Sequence, residues 1–145
     1  MIALLQRVNW AQLRINGEIY SEIAKGLVVF VGIEKADGQA QADKLLTKIS
    51  QYRVFADEEG RMNKSLLDID AQILLVSQFT LAASTDKGLR PSFSSAMPPP
   101  EAEELYDYMV AKAKAMSLPV ATGCFGADMK VALENDGPVT FTLRS

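Results

Sequence analysis

Ser77-Gln78-Phe79-Thr80 puts two hydroxyls and a carboxamide within four residues, directly after the apolar run Ile73 to Val76. At the mouth of a buried strand such groups ordinarily cap the backbone. They can also surround an ester or amide, with Thr80 or Ser77 orienting water or a leaving group and backbone N–H groups holding the developing oxyanion. Losing one such donor costs roughly 10²–10³-fold in rate, so these groups can serve a hydrolase acting on an activated ester. The chain has no histidine and one cysteine, Cys124. That excludes common zinc sites, an intrachain disulfide and every histidine-based nucleophile, and neither metal nor cofactor is expected. No base adjoins Thr80 or Cys124, so Thr80 is read as an orienting group and Cys124 as packing.

Gly137-Pro138 is the second constellation. It is either a turn between strands or a cis peptide, the form of only about 5–6% of X–Pro bonds. Glycine before proline carries no Cβ to clash with the ring. A rigid turn here could aim two carbonyl oxygens at an α-ammonium and leave no room on one side of a chiral carbon. Arg7, on an otherwise apolar first strand, is either a solvated strand-end charge or a planar fork holding backbone carbonyls. Lys87 and Arg90, opposed only by Asp86, form an ordinary cationic loop or a contact for terminal phosphates. Gly123-Cys124-Phe125-Gly126-Ala127 is either a tight turn with a packed ring or a surface on which a terminal adenine can stack.

The elements that must position these residues are readable in outline. The N-terminal segment from Met1 to Val8 reads as a strand, and Asn16-Gly17 between β-prone segments predicts a hairpin. Leu27 to Ile33 is a continuous β-branched run, the pattern of a central strand covered on both faces. From Asp37, a candidate N-cap, Ala42, Leu45, Leu46, Ile49 and Tyr52 recur at helical spacing. Asp57-Glu58-Glu59-Gly60 is a polar turn before the strand that ends at Ser77. Ala82 to Pro99 is longer than the ~12–15 residues usual for a structureless loop, which points to function. Pro100 suits the first turn of a second helix with Ala102, Leu105, Tyr106, Met109, Ala113 and Met116 as its buried stripe, ending before Pro119. Met129, Val131, Leu133 and then Val139, Phe141, Leu143 alternate on either side of a turn at Asn135-Pro138, predicting a closing pair of strands. The fold class is α/β: two strands, two strand–helix units and about three strands, in a mixed sheet system with both helices on one side.

The 145 residues, 48% of them hydrophobic, suit one domain over 1–145. The longest apolar run is seven residues against the roughly 18 that span a bilayer, so no membrane partner is expected. The N-terminus lacks the pattern of a secretory signal, and a soluble cytoplasmic protein is expected. A net charge of −3 argues against a protein that coats nucleic acid, while leaving room for an enzyme gripping one RNA end.

Together these segments resemble the D-aminoacyl-tRNA deacylases across essentially the whole chain. The carrying motifs are Gln6-Arg7-Val8, Val76-Ser77-Gln78-Phe79-Thr80-Leu81, Gly88-Leu89-Arg90-Pro91-Ser92-Phe93 and Asn135-Asp136-Gly137-Pro138-Val139-Thr140, specific by their order and spacing. Cys124 before Phe125 and Trp10 after the first strand fall beside the motifs. The resemblance implies three layers, α/β/β, and a homodimer through the sheet region, with the Gly137-Pro138 bond in cis entering the partner's site to meet the substrate's α-amino group. It implies that Ser77, Gln78, Phe79 and Thr80 surround the scissile ester, that Arg7 supports the Gly-Pro motif, and that Phe125, Gly126, Ala127 and Met129 complete the substrate-binding set. The implied substrate is D-aminoacyl-tRNA held by its 3′ end, or glycine mischarged on tRNA(Ala), with L-residues rejected sterically and the terminal 2′-hydroxyl assisting; DNA is not an implied partner. The competing readings are a hydrolase of small N-acyl or D-amino acid metabolites using Thr80, and a non-catalytic module that binds RNA ends.

Overall fold

Strand β1 (Ile2–Ile15) pairs with three other strands and organises the rest. The computed structural model describes residues 1–69, 71–86 and 88–145, so Lys87 lies outside the described residues. Asn16 and Gly17, at φ of 52° and 84°, close a two-residue hairpin into β2 (Glu18–Ile23), the conformation their residue types favour. β3 (Gly26–Gly32) pairs antiparallel with the first half of β1. On its other edge it is parallel to β6 (Gln72–Ser77), which is parallel in turn to β7 (Val120–Thr122). The central position expected for this strand is therefore found.

Both faces of β3 are covered. Leu27, Val29 and Val31 share one cluster with Ile73 and Leu75 and with both helices, α1 (Gln39–Gln51) and α2 (Pro99–Ala115). Val28, Leu74 and Val76 face the other way, against Val8, Ala11 and Leu13 of β1 and Ile23 of β2. Each fully buried aliphatic side chain contributes about 1.5–3 kcal/mol, so the two clusters hold the sheet from both sides. The stripe expected of α2 is present, with Ala102, Leu105, Tyr106, Met109 and Ala113 buried and Met116 packed at its edge.

Two expectations are corrected and one is extended. Asp37 does not cap α1: its carboxylate accepts from the Glu34 N–H (2.7 Å) and the Met1 ammonium (2.5 Å), and the helix starts after Gly38, whose N–H is met by the Gln41 side chain at 3.0 Å. The polar turn expected at Asp57–Gly60 is present, and it closes a small separate hairpin that was not expected, β4 (Phe55–Ala56) with β5 (Met62–Lys64), in which the Asp57 carboxylate gathers the N–H groups of Glu59 and Arg61 at 2.9 Å each. Hydrogen bonds to the charged form, from Arg61 first, hold that carboxyl below its usual range.

The other correction concerns the end of the chain. The expected closing pair of strands is one strand, β8 (Met129–Arg144), antiparallel to β1 along nearly its whole length. Two strands rather than about three therefore follow α2. Val8 opposes Asn135 and Gln6 opposes Thr140, so Asp136, Gly137, Pro138 and Val139 all stand opposite Arg7. The turn residues at this point do not reverse the chain; they make a wide bulge, after which β8 resumes its direction. A 14-residue β1 offers both halves of the alternation a partner, which a hairpin between the halves would forfeit.

Candidate functional site

Ser77 is the last residue of β6, and the chain turns at Gln78 into a 3₁₀ turn over Phe79–Ala82. The turn is pinned to β3 in two ways. The Gln78 N–H donates to the Val31 carbonyl at 2.7 Å. Gly32 allows the contact, because a Cβ there would stand 2.8 Å from the Cβ of Leu81 and 3.2 Å from the Gln78 carbonyl oxygen. The Gln78 carboxamide donates to the Thr80 hydroxyl oxygen at 2.7 Å, leaving the threonine's own proton free to be donated outward. Phe79 and Thr80 are exposed, and their N–H groups have no partner among the described residues, as befits the first donors of a helical turn.

This turn lies at the rim of a cavity of about 660 Å³. Ser77, Gln78 and Phe79 line one side, and Phe125, Gly126, Ala127 and Met129 line another. Phe93, Met97 and Pro98, from the segment between the turn and α2, complete it. The Phe79 and Phe93 rings lie 5.0 Å apart, tilted by 58° and well exposed, a surface on which a planar group can stack. Ser95 donates to the Ala82 carbonyl, tying the loop back to the turn. Phe125 leans on Tyr106, whose hydroxyl donates to the Leu75 carbonyl at 2.8 Å; burial pushes that phenol's pKa up, so it stays neutral.

Gly137 and Pro138 do not line this cavity; they are exposed at the summit of the bulge in β8, and their peptide bond is cis. Arg7 stands beneath them. Its Nε donates to the Asp136 carbonyl at 3.0 Å and lies 3.2 Å from the Asp136 carboxylate, while Nη1 donates to the Val54 carbonyl at 2.6 Å. The fork therefore bonds backbone carbonyls, as one of its two sequence readings had it. Gly137 sits at φ 139°, and an added Cβ would meet Val139 Cγ2 at 2.6 Å, Val139 N at 3.0 Å and Arg7 Nη2 at 3.2 Å.

The structure thus divides the sequence-derived set in two. Ser77, Gln78, Phe79, Phe125, Gly126, Ala127 and Met129 meet at the cavity, with Thr80 at its edge; Arg7, Gly137 and Pro138 meet at the bulge. Met129 stands opposite Ile15 and the bulge opposite Arg7, so the two lie roughly 26 Å apart along the sheet at about 3.3 Å per residue. Arg90 is exposed in the long loop and lines neither, and Lys87 is not among the described residues. Phe93, Met97 and Pro98 were missed; the only signal was that Phe93 and Met97 are, with Leu89, the large apolar side chains of the long loop. Asn135 was missed as well. Its carboxamide closes the bulge, a role that depends on the bulge existing.

The family described as D-Tyr-tRNA(Tyr) deacylase matches residues 4–144. A protein of Pseudoalteromonas translucida called D-aminoacyl-tRNA deacylase is 59% identical over 143 residues, covering 99% of each chain. Among solved structures, that of a protein called c-Myc DNA Unwinding Element Binding Protein is 40% identical and superposes with a TM-score of 0.95, covering 100% of this chain and 99% of the other. Another, of a probable eukaryotic D-amino acid tRNA deacylase, is 16% identical, with a TM-score of 0.83 over 98% of this chain and 97% of the other, and shows the shared fold.

Proposed function

The chain belongs to the D-Tyr-tRNA(Tyr) deacylase family, and on that premise we propose that it hydrolyses the ester joining a D-amino acid to the 3′ end of tRNA. The observation that carries the reading is a pair of N–H groups, Phe79 and Thr80, without a partner among the described residues, beside a donating hydroxyl at the mouth of a mostly apolar cavity. Two such donors aimed at a carbonyl oxygen stabilise the oxyanion that forms when water attacks the ester. Thr80 adds a third hydrogen bond with its free proton. The ester is already activated and the terminal ribose hydroxyl stands beside it, so the substrate supplies the proton acceptor that a chain without histidine lacks. The exposed Phe79 and Phe93 rings offer the terminal adenine a stacking surface, and Arg90 can meet the phosphates behind it.

Selection by chirality falls to Gly137 and Pro138 in this reading. Their carbonyls hold the α-ammonium, and the wall they form stands where an L side chain would project, so D-residues and glycine pass, including glycine mischarged on tRNA(Ala). Because the bulge lies near the middle of β8 while the cavity is lined by the strand's start, the motif is out of reach of its own chain's cavity and serves that of a second copy. That makes the enzyme a homodimer joined through the sheet region, in three layers of α/β/β, and its substrate places it in the cytoplasm. No helix of the described residues is long and apolar enough to cross a membrane.

One observation favours a second reading, that of a nucleic-acid-binding protein without turnover: the 40% identical relative of solved structure is named for binding a DNA element. A formal net charge of −3 weakens it, since sequence-independent binding draws on excess Lys and Arg. Turnover separates the readings. D-tyrosyl-tRNA and D-tyrosine ethyl ester, each incubated with purified protein, should give rapid ester loss from the tRNA alone. Loss from both at similar rates would indicate a small-ester hydrolase, and binding to the tRNA 3′ end with no ester loss would leave only the binding module.

A further inference from the structure

A bulge of four residues opposite one cannot complete its ladder with β1, so its backbone groups need other partners. At its departing end Arg7 grips the Asp136 carbonyl and carboxylate. At its returning end the partner is Asn135. The Asn135 Oδ1 accepts from the Val139 N–H at 2.6 Å, and Nδ2 donates to the Val139 carbonyl at 3.2 Å and to Thr140 Oγ1 at 2.9 Å. One carboxamide therefore meets both backbone groups of the residue that ends the excursion. Gly137 and Pro138 are the two residues left between the clamps, exposed and held from both sides.

We propose that Asn135 is a positioning residue for chiral selection: it fixes where the Gly137 and Pro138 carbonyls point, and so sets how strictly the site refuses an L-residue. The proposal rests on the reading of Gly137-Pro138 given above. Arg7 alone anchors only Asp136, about which the rest of the loop could swing. Asn135 removes that freedom, and only a side chain with an acceptor and a donor on one short planar group does so at this spacing. Asn135 opposes Val8 in the ladder and its carboxamide is engaged by Val139 and Thr140, so its influence passes through the loop.

The test compares Asn135→Ala, Asn135→Asp and Gly137→Ala with the unaltered protein, measuring D- and L-tyrosyl-tRNA hydrolysis, melting temperature and oligomeric state. Asn135→Ala strands the Val139 N–H, and the ratio of D- to L-hydrolysis should fall about tenfold or more while the oligomer persists. Asn135→Asp keeps the acceptor and loses the donors, so it should lie between Ala and the unaltered protein. That rescue marks positioning, since a general loss of stability would lower both rates and leave the ratio unchanged. The proposal is overturned if Asn135→Ala keeps the original ratio while Gly137→Ala loses it, which leaves the reading of Gly137-Pro138 intact. If Gly137→Ala also keeps the ratio, that reading falls too. Should Asn135→Ala not fold, Asn135→Asp decides: an unchanged ratio overturns the proposal and a reduced one supports it.

Discussion

The turn after β6 is pinned to β3 but leaves its donors open: Phe79 and Thr80 are exposed, and their N–H groups have no partner among the described residues. The bulge in β8 is tied down at both ends, by two contacts from Arg7 and three from Asn135 around two exposed residues. The difference suits the role proposed for each. A site that stabilises charge in a transition state keeps its donors free until the substrate arrives. A site that refuses a substrate by shape must not yield, since rejecting a side chain is only as effective as the wall is stiff.

The largest expected effect comes from breaking the stiff region. Gly137→Ala introduces a Cβ 2.6 Å from Val139 Cγ2 at a φ of 139° that L-residues rarely adopt. Displacing the loop should lower D-aminoacyl-tRNA hydrolysis roughly a hundredfold, the order that strain of a few kcal/mol gives, with the oligomer intact by sedimentation. Arg7→Lys keeps the charge but cannot hold Asp136 and Val54 together in one plane. Loss of a charge-assisted bond predicts about tenfold slower turnover and a weaker D-over-L preference in a steady-state assay.

The open region should respond differently. Thr80→Ala removes one of several donors, so turnover should slow about tenfold without vanishing and the D-over-L ratio should stay as it is. Complete loss in a folded protein would instead make Thr80 a nucleophile, and a changed ratio would mean that the two regions do not divide the work. Gly32→Ala probes the same region from behind, by pressing on Leu81 and Gln78, and should reduce the rate more than the ratio. The smallest effect is expected from a chelator. With no histidine and one cysteine in the chain, EDTA should leave activity unchanged, and zinc-reversible inhibition would refute that.

What could be read from the sequence follows the same division. The β6 turn was legible because it is local: a buried apolar run fixes the strand, and the polar residues after it can only lie at its end. The Asn-Gly hairpin, the central β3 and both helices were legible for similar reasons. The bulge was misread because its residues are those of a reversing turn. Only the length of β1, which gives both halves of β8 a partner, decides that the chain continues. Phe93 and Met97 escaped because their place in the cavity depends on a loop path with no periodic pattern, and Asp37 was lost as a cap because its partners come from Met1 and Glu34.

The central claim is that one hand of the substrate is accepted and the other refused by backbone geometry, whatever the side chain. Purified protein incubated with tyrosyl-tRNA and phenylalanyl-tRNA, each charged with the D- and with the L-amino acid, and with glycyl-tRNA, tests it directly by following ester loss. Both D-esters and the glycyl ester should be cleared while both L-esters survive. Hydrolysis of either L-ester at a rate comparable to its D counterpart would contradict the account.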